Sequence, residues 1–382
     1  MAKGCKKMNI GILTHHTVIN QGAIMQMYSL KSWLEKNGHN VSILTYTKDF
    51  DFEPSERKRY NISIGSIPFF LKEYLIKKGL GLTWFNVKKQ ILYKKYISQN
   101  FSFKSYATDN TDAVIVGSDE VFSLATGCNM MMYGHGVNTN HLISYAPSFG
   151  QTDMARIEKF HCKELISSGL SKFDALSVRD ANSAKIIKEL IGVDPTVVCD
   201  PVMLYDFTNE HTNIDRFHLD GKKYMLVYSM DRWMREPDEI NAIKKYAEKK
   251  GYITVSAGTF HKWCDKNILC NPMEWLEIFR NAQEVITDTF HGSVLSIITN
   301  RPSFYYIRDL NSNKLMSLYK YFGLEDRILD KIDYENMEKI QSSSVTDFQA
   351  VNEKLLKLRK HSEKYLIESL SYAEREIKRE II

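Results

Sequence analysis

Short apolar runs alternate with segments of helical spacing along most of this chain, and that alternation limits the possible folds more than any other feature. The apolar run at residues 10–13 is followed by a polar stretch and then by helical apolar spacing over residues 23–36. The pair Asn37-Gly38 is a typical helix stop, and a second apolar run follows at residues 41–46. Strand, helix and strand in this order form a βαβ unit, which is how a doubly wound parallel sheet begins.

The same alternation is repeated in a second half of the chain, after a polar stretch at residues 204–222 that we interpret as a linker. A length of 382 residues also fits two domains better than one hydrophobic core. We therefore predict an α/β fold of two Rossmann-like domains, residues 1–205 and residues 206–382. The first domain carries a basic, aromatic insertion at about residues 57–105, and the second ends in a long charged helix.

Composition supports a globular cytoplasmic protein. Hydrophobic residues make up 43% and charged residues 25% of the chain. No apolar run approaches the roughly 18 residues that would cross a bilayer, and the short run after residue 7 is not a signal peptide. The cysteines are scattered and have no metal-like spacing, so we expect reduced thiols and no metal site. They are Cys5, Cys128, Cys162, Cys199, Cys264 and Cys270.

The insertion at residues 57–105 concentrates positive charge. It contains eleven Lys or Arg residues and one acid, Glu73, together with several aromatic residues. Such a surface suits nucleic acid or an anionic membrane face, and a solvated helical hairpin with an apolar inner face would show the same composition. We predict peripheral attachment to an anionic membrane surface and no nucleic-acid partner.

Three corners of the predicted sheets share one arrangement: a strand ends, a glycine permits close backbone approach, and a helix begins. They are Asn20-Gln21-Gly22, Gly117-Ser118-Asp119 and His291-Gly292-Ser293. The free N–H groups of a helix start favour anions. No GxGxxG or GxxxxGK[ST] pattern occurs there, which disfavours dinucleotide and Walker-type sites. His291 is the best candidate for proton transfer near neutral pH, the alternative being a hydrogen bond to a neighbouring loop.

Six segments, in order, resemble motifs of the polysaccharide pyruvyl transferase family, and the similarity extends over about residues 8–330. They are residues 20–26 (NQGAIMQ, like NxGAxxQ), 112–122 (DAVIVGSDEVF, like DxxIVGSDQvW), 144–150 (SYAPSFG, like SYAxSfG), 177–180 (SVRD, like SVRE), 199–201 (CDP, like lDPt) and 287–292 (TDTFHG, like TDSFHG). Each motif is short, but the ordered set is specific.

This resemblance implies a glycosyltransferase-B-like architecture, with two Rossmann-like domains facing a central cleft. It also implies transfer of pyruvate from phosphoenolpyruvate to a sugar as a ketal, during capsule or exopolysaccharide assembly. The family's catalytic His corresponds to His291, and its phosphoenolpyruvate-binding Arg corresponds to Arg179. Three positions depart from the family: Glu120 replaces Gln, Phe122 replaces Trp, and Thr289 stands where some members have Arg.

Ketal transfer needs a proton donor for the enol carbon, a base for the sugar hydroxyls and cations for phosphate and carboxylate. We assign His291 as the acid and Asp119 or Asp288 as the base. Without an Arg at position 289, a second cation is expected from Arg301, Arg308 or Lys314. No metal or further cofactor is predicted. The predicted substrate-binding residues are Arg179, Asn20, Gly22, Ser118, Tyr145, Ser148, Thr289, Gly292 and Ser293.

Several alternatives remain at this stage. Asp119 would serve equally well as a helix N-cap, Asp200-Pro201 is more typical of a turn, and Arg179 with Asp180 would form an ordinary surface ion pair. At the level of function, the alternative is a nucleotide-sugar-dependent glycosyltransferase of the same architecture. A non-enzymatic, membrane-docked assembly protein would explain the insertion but not the corners.

Overall fold

The computed structural model describes residues 7–46, 67–105, 111–125, 129–308, 312–343 and 345–380. Cys5, Cys128 and residues 57–66 of the insertion lie outside these ranges. The strands are β1 Asn9–Leu13, β2 Asn40–Thr45, β3 Phe103–Ser105, β4 Ala113–Val116, β5 Leu142–Ser144, β6 Ser177–Val178, β7 Thr196–Val197, β8 Tyr224–Tyr228, β9 Ile253–Ala257, β10 Lys266–Ile268, β11 Glu284–Thr287, β12 Ser303–Tyr306 and β13 Ile328–Leu329.

Helices alternate with these strands as the sequence predicts. They are α1 Gln21–Lys36, α2 Ile67–Asn100, α3 Met154–Lys159, α4 Lys163–Leu170, α5 Ala181–Ile191, α6 Pro201–Leu204, α7 Pro237–Lys249, α8 Pro272–Asn281, α9 Phe290–Ile298, α10 Ser312–Phe322, α11 Tyr334–Ser343 and α12 Phe348–Glu380. In the part of the chain that is described, no helix is long and apolar enough to span a membrane.

The chain forms two compact units. The first comprises Met1–Ile67, Ile97–Tyr205 and Leu358–Ile382, and the second comprises Pro68–Tyr96 and Asp206–Lys357. The predicted division differs from these units in two segments. Most of helix α2 belongs to the second unit instead of the first, and the C-terminal part of helix α12 belongs to the first unit instead of the second.

Hydrogen bonds explain why the C-terminal part of helix α12 belongs to the first unit. The Ser362 hydroxyl accepts a hydrogen bond from the backbone N–H of Cys199 at 2.9 Å. The Tyr365 hydroxyl donates to the carbonyl of Ser144 at 2.9 Å, at the end of β5. Both side chains are buried. The helix therefore supplies partners for buried backbone groups of the first unit, which local sequence patterns do not reveal.

The first unit is built on a five-stranded sheet in the order β3-β2-β1-β4-β5, with all neighbours parallel. An isolated bridge between Ile143 and Ala175, and the pair β6-β7, continue the pairing beyond β5. The direction of winding reverses between β1 and β4. In doubly wound folds, ligands bind at the carboxyl ends of the strands at this reversal point.

The second unit contains a six-stranded parallel sheet in the order β10-β9-β8-β11-β12-β13. Its winding reverses between β8 and β11. Strand β8 is buried along its whole length, as is β11, because helices cover both faces of a doubly wound sheet. Helix α8 starts with a capping box in which Asn271 and Glu274 exchange hydrogen bonds.

Helix α2 is one continuous helix of 34 residues, so the helical hairpin considered for the insertion is wrong. Gly81 does not form a turn. A Cβ atom at this position would lie 3.2 Å from the ring of Phe260, so the glycine permits the close approach of that ring. Phe85 also packs on Phe260, with ring centroids 5.5 Å apart. These contacts attach the helix to the second unit.

Candidate active site

The reversal point of the first sheet is closed by a hydrogen bond between the ends of β1 and β4. The Thr14 hydroxyl donates to the carbonyl of Ser118 at 3.1 Å. Gly117 has a φ of +124°, and a Cβ atom there would collide with the carbonyl oxygen of Tyr145. Only glycine suits this position, because both the backbone angle and the available space exclude a side chain.

No helix begins at the Gly117-Ser118-Asp119 corner, so the prediction of one there is wrong. The residues that directly follow form turns. The backbone of Asp119 instead continues the parallel pairing, since its carbonyl accepts from the N–H of Ser148 at 2.8 Å and Asp119 bridges Pro147. Asp119 is therefore not a helix N-cap. It is partly exposed at the carboxyl edge of the sheet.

Arg179 forms a buried ion pair with Asp200, 21 residues further along the chain. Arg179 Nη1 donates to Oδ2 of Asp200 at 2.9 Å, and the two side chains are only 6% and 1% exposed. Gln26 Nε2 donates to the same oxygen at 2.6 Å. Asp200 also caps the short helix α6 through the N–H of Val202. The turn considered for Asp200 is therefore an N-cap that doubles as the counterion of Arg179.

The surface ion pair between Arg179 and Asp180 is wrong. Asp180 caps helix α5 through the N–H of Ser183 at 2.8 Å and accepts from the Ser148 hydroxyl at 2.6 Å. Burial acts to lower the pKa of the Arg179 guanidinium, but neighbouring carboxylates outweigh it and raise that pKa. These carboxylates belong to Asp200, Asp119, Glu120 and Asp180. Arg179 is thus a permanent cation in acidic surroundings.

Other predicted binding residues of the first unit hold its framework. Asn20 caps α1, with its side chain accepting from the N–H groups of Gly22 at 2.8 Å and Ala23 at 3.3 Å. Tyr145 is completely buried, and its hydroxyl lies 3.7 Å from the Cys199 sulfur. Ser118 is buried as well. Of Asn20, Gly22, Ser118 and Tyr145, only Asn20 is exposed. The N–H of Gly22, which was predicted to bind an anion, already donates to Asn20.

Phe122, one of the departures from the family's motifs, is a core residue. It is completely buried, and its ring stacks on Tyr133 with centroids 5.2 Å apart. It also contacts Phe149 and Phe173. Phe122 is therefore a packing residue beneath the sheet edge in this chain.

The reversal point of the second sheet contains a completely buried carboxylate, Asp288. The Ser229 hydroxyl, directly after β8, donates to Asp288 Oδ2 at 2.9 Å, and Arg308 Nε donates to the same oxygen at 2.7 Å. Burial raises the pKa of the Asp288 carboxyl, although the hydrogen bonds from Arg308 and Ser229 oppose the shift. Asp288 is the counterpart of the Ser118 carbonyl in the first unit. Each accepts a hydrogen bond from a hydroxyl that directly follows the first strand of its unit, β8 for Asp288 and β1 for Ser118.

Helix α9 starts at Phe290 and not at Ser293 as predicted, because Thr289 is its N-cap. The Thr289 hydroxyl accepts from the N–H of Gly292 at 3.1 Å and is bonded to the Thr287 hydroxyl at 3.0 Å. His291 consequently lies in the first turn of the helix. It is partly exposed, and its ring meets that of Phe290 edge-on at 5.4 Å.

Gly292 and Ser293 are part of the packing behind His291. A Cβ atom on Gly292 would collide with the Thr287 hydroxyl. Ser293 is completely buried; its hydroxyl donates to the Thr289 carbonyl at 2.9 Å and lies 2.7 Å from the Tyr319 hydroxyl. The first turn of α9 is thereby held by side chains on its inner side, while His291 is partly exposed with its Nε2 atom buried.

Two of the three candidate second cations lie at the carboxyl edge of the second sheet. Arg308 follows β12, pairs with Asp288 and also lies 3.6 Å from a Glu239 oxygen. Lys314 Nζ lies 5.8 Å from the centroid of the Phe290 ring, beside the start of α9. Arg301 donates to the carbonyl of Ala282, which precedes β11, so it lies at the opposite edge of the sheet.

Sequence reasoning assigned no role to Ser229, His261 or Gln26. His261 Nε2 donates to the Ser229 carbonyl at 3.2 Å, and burial lowers the pKa of this histidine. A positional signal for Ser229 exists, since it follows β8 as Thr14 follows β1. Gln26 lies in the matched NxGAxxQ segment, but its partner Asp200 is far away in sequence.

Among the described residues, no group of three or more His, Cys, Asp and Glu side chains is arranged to bind a metal ion. The cysteines in the described ranges, Cys162, Cys199, Cys264 and Cys270, are buried free thiols. Burial raises the pKa of the Cys199 thiol to about 11, which makes it unreactive at neutral pH.

The sequence profile of the polysaccharide pyruvyl transferase family matches residues 20–309, most of the chain. No curated protein sequence matches significantly.

Similar solved structures include Arabidopsis thaliana UGT89C1 complexed with quercetin, with 11% identity, a TM-score of 0.52 and coverage of 96% of this chain and 100% of that one. Another is the UDP-GlcNAc 2-epimerase from Neisseria meningitidis bound to UDP-GlcNAc, with 10% identity, a TM-score of 0.52 and coverage of 95% and 99%. At such low identity the likeness shows the fold alone: two Rossmann-like units of the glycosyltransferase-B type.

Proposed function

Because the chain belongs to the polysaccharide pyruvyl transferase family, we propose that it moves pyruvate from phosphoenolpyruvate onto a sugar of a polysaccharide precursor as a cyclic ketal. One observation carries this proposal: His291 lies in the first turn of helix α9, at the carboxyl edge of the second sheet, and the cation Lys314 lies 5.8 Å from the ring centroid of the preceding residue, Phe290. An acid next to positive charge suits an enol phosphate, which needs a proton at carbon and a partner for its anionic groups.

The reaction balances with proton transfers alone. The acid adds a proton to the methylene carbon of phosphoenolpyruvate, which leaves a positive centre at the carbon that carries the phosphate. Two hydroxyls of one sugar form bonds to that carbon, and its bond to the phosphate oxygen breaks. The two hydroxyls lose two protons: one matches the proton gained by carbon, and the other leaves with the phosphate. No redox change occurs.

In this proposal His291 is the acid and Lys314 binds the phosphate, with the positive end of the α9 dipole adding to the attraction. Arg308 is less suited to that role, because Asp288 and Glu239 already balance its charge. Asp288 is completely buried, so we assign it the positioning of Arg308 and Ser229 instead of direct proton abstraction. Among the predicted bases, the partly exposed Asp119 is the better candidate.

Arg179 is proposed to bind the carboxylate of phosphoenolpyruvate. A guanidinium presents its N–H donors in a rigid plane that suits bidentate binding of a carboxylate. Asp200 and Gln26 hold that plane in one orientation. The surrounding carboxylates favour the cation but oppose a second anion, so we expect Arg179 to contribute orientation more than affinity.

The proposed acceptor is linked to a polyprenyl diphosphate, and the proposed location is the cytoplasmic face of the membrane. A sugar precursor carried by such a lipid is confined to the bilayer surface, so an enzyme that acts on it has to reach that surface. The basic insertion supports this location, because lysines near an anionic surface each contribute roughly 1 kcal/mol of binding.

Incubation of the purified protein with phosphoenolpyruvate and a panel of galactosides tests the proposal. We expect release of phosphate together with a ketal on the sugar, and much slower formation of both products with His291→Gln. Folded protein that releases no phosphate with any acceptor would contradict the proposal. Consumption of a nucleotide sugar in parallel reactions would instead favour the glycosyltransferase alternative.

A further inference from the structure

Helix α2 has two apolar faces on opposite sides. Leu82, Phe85, Tyr93 and Tyr96 are each less than 10% exposed and face the protein. On the other side, Leu80, Trp84, Val87 and Ile91 are 76%, 62%, 45% and 65% exposed. At about 100° per residue, the exposed four fall within an arc of about 60°. A helix that packs on one side needs only one apolar face.

The inner face of this helix is already anchored. Phe85 packs on Phe260, and Lys89 Nζ donates to the Gly258 carbonyl at 2.6 Å. The exposed stripe, which we define as Leu80, Trp84, Val87 and Ile91, therefore has no part in holding the helix to its unit. Large apolar side chains that form a continuous exposed stripe indicate an interaction surface, unlike apolar residues scattered singly.

Lysines border the exposed stripe. Lys88, Lys94 and Lys95 are exposed, and Lys88 Nζ lies 4.9 Å from the centre of the Trp84 ring. By helical geometry Lys88 and Lys95 are on one side of the stripe and Lys94 on the other. From Tyr74 to Ser105 the sequence contains no Asp or Glu. The stripe is thus an apolar strip with positively charged margins.

We propose that the exposed stripe docks on an anionic lipid bilayer, with its apolar side chains in the interfacial region and the bordering lysines among the headgroups. This arrangement is that of a helix lying in the plane of the interface. A second copy of the chain fits poorly, because self-association through this face would oppose like charges. Nucleic acid fits poorly too, since Leu80, Val87 and Ile91 have no ring on which a base stacks.

The proposal deepens the membrane location given above and is independent of the chemistry assigned to His291. The full chain is floated with phosphatidylcholine vesicles that either contain or lack phosphatidylglycerol. We expect binding only to the anionic vesicles, and weaker binding at high salt because the lysine contribution is screened. The double variant Trp84→Glu/Ile91→Glu should lower the partition coefficient at least tenfold. Lys94→Gln should lower it about fivefold.

The matched control is Ile367→Glu, which changes an exposed isoleucine on another helix and should leave binding unchanged. Unfolding curves of all variants verify that the fold is intact. Vesicle binding that is unaffected by Trp84→Glu/Ile91→Glu, or absent for the unaltered chain, would overturn the proposal. So would dimerisation that the same double variant abolishes, because the stripe would then be a self-association surface.

Activity separates this proposal from the proposed function. With a water-soluble galactoside and phosphoenolpyruvate, the stripe variants should release phosphate at the rate of the unaltered chain. Absence of that reaction in every protein would refute pyruvyl transfer and leave the vesicle result standing. Normal soluble activity without any vesicle binding would refute the docking surface alone.

Discussion

Arg308 Nε donates a hydrogen bond to Oδ2 of Asp288 at 2.7 Å, and the Asp288 side chain is completely buried. The pair joins the ends of β11 and β12, while the Ser229 hydroxyl ties the same oxygen to the end of β8. Three strand ends of the second unit therefore converge on one carboxylate, three residues before His291. The ion pair therefore holds the residue that directly precedes Thr289, the N-cap of helix α9.

Replacement of Arg308 by Met should destabilise the protein, because the buried Asp288 carboxylate would lose its counterion. We expect the free energy of unfolding to fall by about 3 kcal/mol. Asp288→Asn removes the buried negative charge itself. The double variant Asp288→Asn/Arg308→Met should therefore be more stable than Arg308→Met alone. Urea unfolding of the unaltered chain, the two single variants and the double variant measures the loss and its partial recovery.

The exposed pair of Lys188 and Asp194, with side chains 62% and 74% exposed, provides the control for that measurement. Lys188→Met should change the unfolding free energy by less than about 1 kcal/mol. Equal effects of Lys188→Met and Arg308→Met would show that the Arg308 pair is no more than a surface contact.

His291→Gln should reduce kcat for phosphate release by about 10²- to 10⁴-fold, the usual range for loss of a general acid. The unfolding midpoint should stay close to that of the unaltered chain, because His291 is partly exposed. His211→Gln is the control, since this histidine is 68% exposed and lies beside Glu277 of helix α8. Full activity of His291→Gln would exclude the acid role.

Gly117→Ala should be strongly destabilising, because the new Cβ would collide with the Tyr145 carbonyl in a left-handed backbone conformation. The matched control is Gly38→Ala, at a φ of +94° with no atom within 4 Å of the added Cβ. The control should lose about 1 kcal/mol through the backbone alone. The Gly117 variant should lose about 3 kcal/mol or more. Denaturation curves that coincide would refute the steric argument.

Stability should fall at mildly acid pH because of His261. Burial lowers the pKa of His261 from 6.5. Below pH 6.5 the unfolded chain therefore binds a proton that the native state does not, and native stability is lost as the pH falls towards the native pKa. The slope for one such group is at most about 1.4 kcal/mol per pH unit.

His261→Gln removes this contribution. The stability of the unaltered chain relative to the variant, which includes a constant offset from lost packing, should therefore be lower at pH 5.5 than at pH 7.5. Thermal unfolding across this range measures the difference. A relative stability of the unaltered chain that rises as the pH falls would mean that His261 gains a stabilising charge, contrary to its burial.

Local patterns were sufficient for most of the secondary structure. The strand preceding residue 14, helix α1 and its stop at Asn37 follow from side-chain periodicity and capping. The start of helix α9 lies three residues before the predicted one, because Thr289 and not the Gly292 corner provides the N-cap. The sequence does not predict that helix α2 is continuous. Apolar residues on two opposite sides of a helix do not show the helical spacing that a single apolar face produces.

The sequence by itself determined the doubly wound α/β character of both halves, the motif set of the family and His291 as the candidate acid, since each depends on residues close together in the chain. Only the tertiary structure decided what surrounds those residues. Arg179 is paired with Asp200, and Asp288 with Arg308, because parallel strands bring their carboxyl ends to one edge regardless of sequence separation. Which residue pairs with a buried charge is therefore decided by the strand order of the sheet, and local sequence does not reveal it.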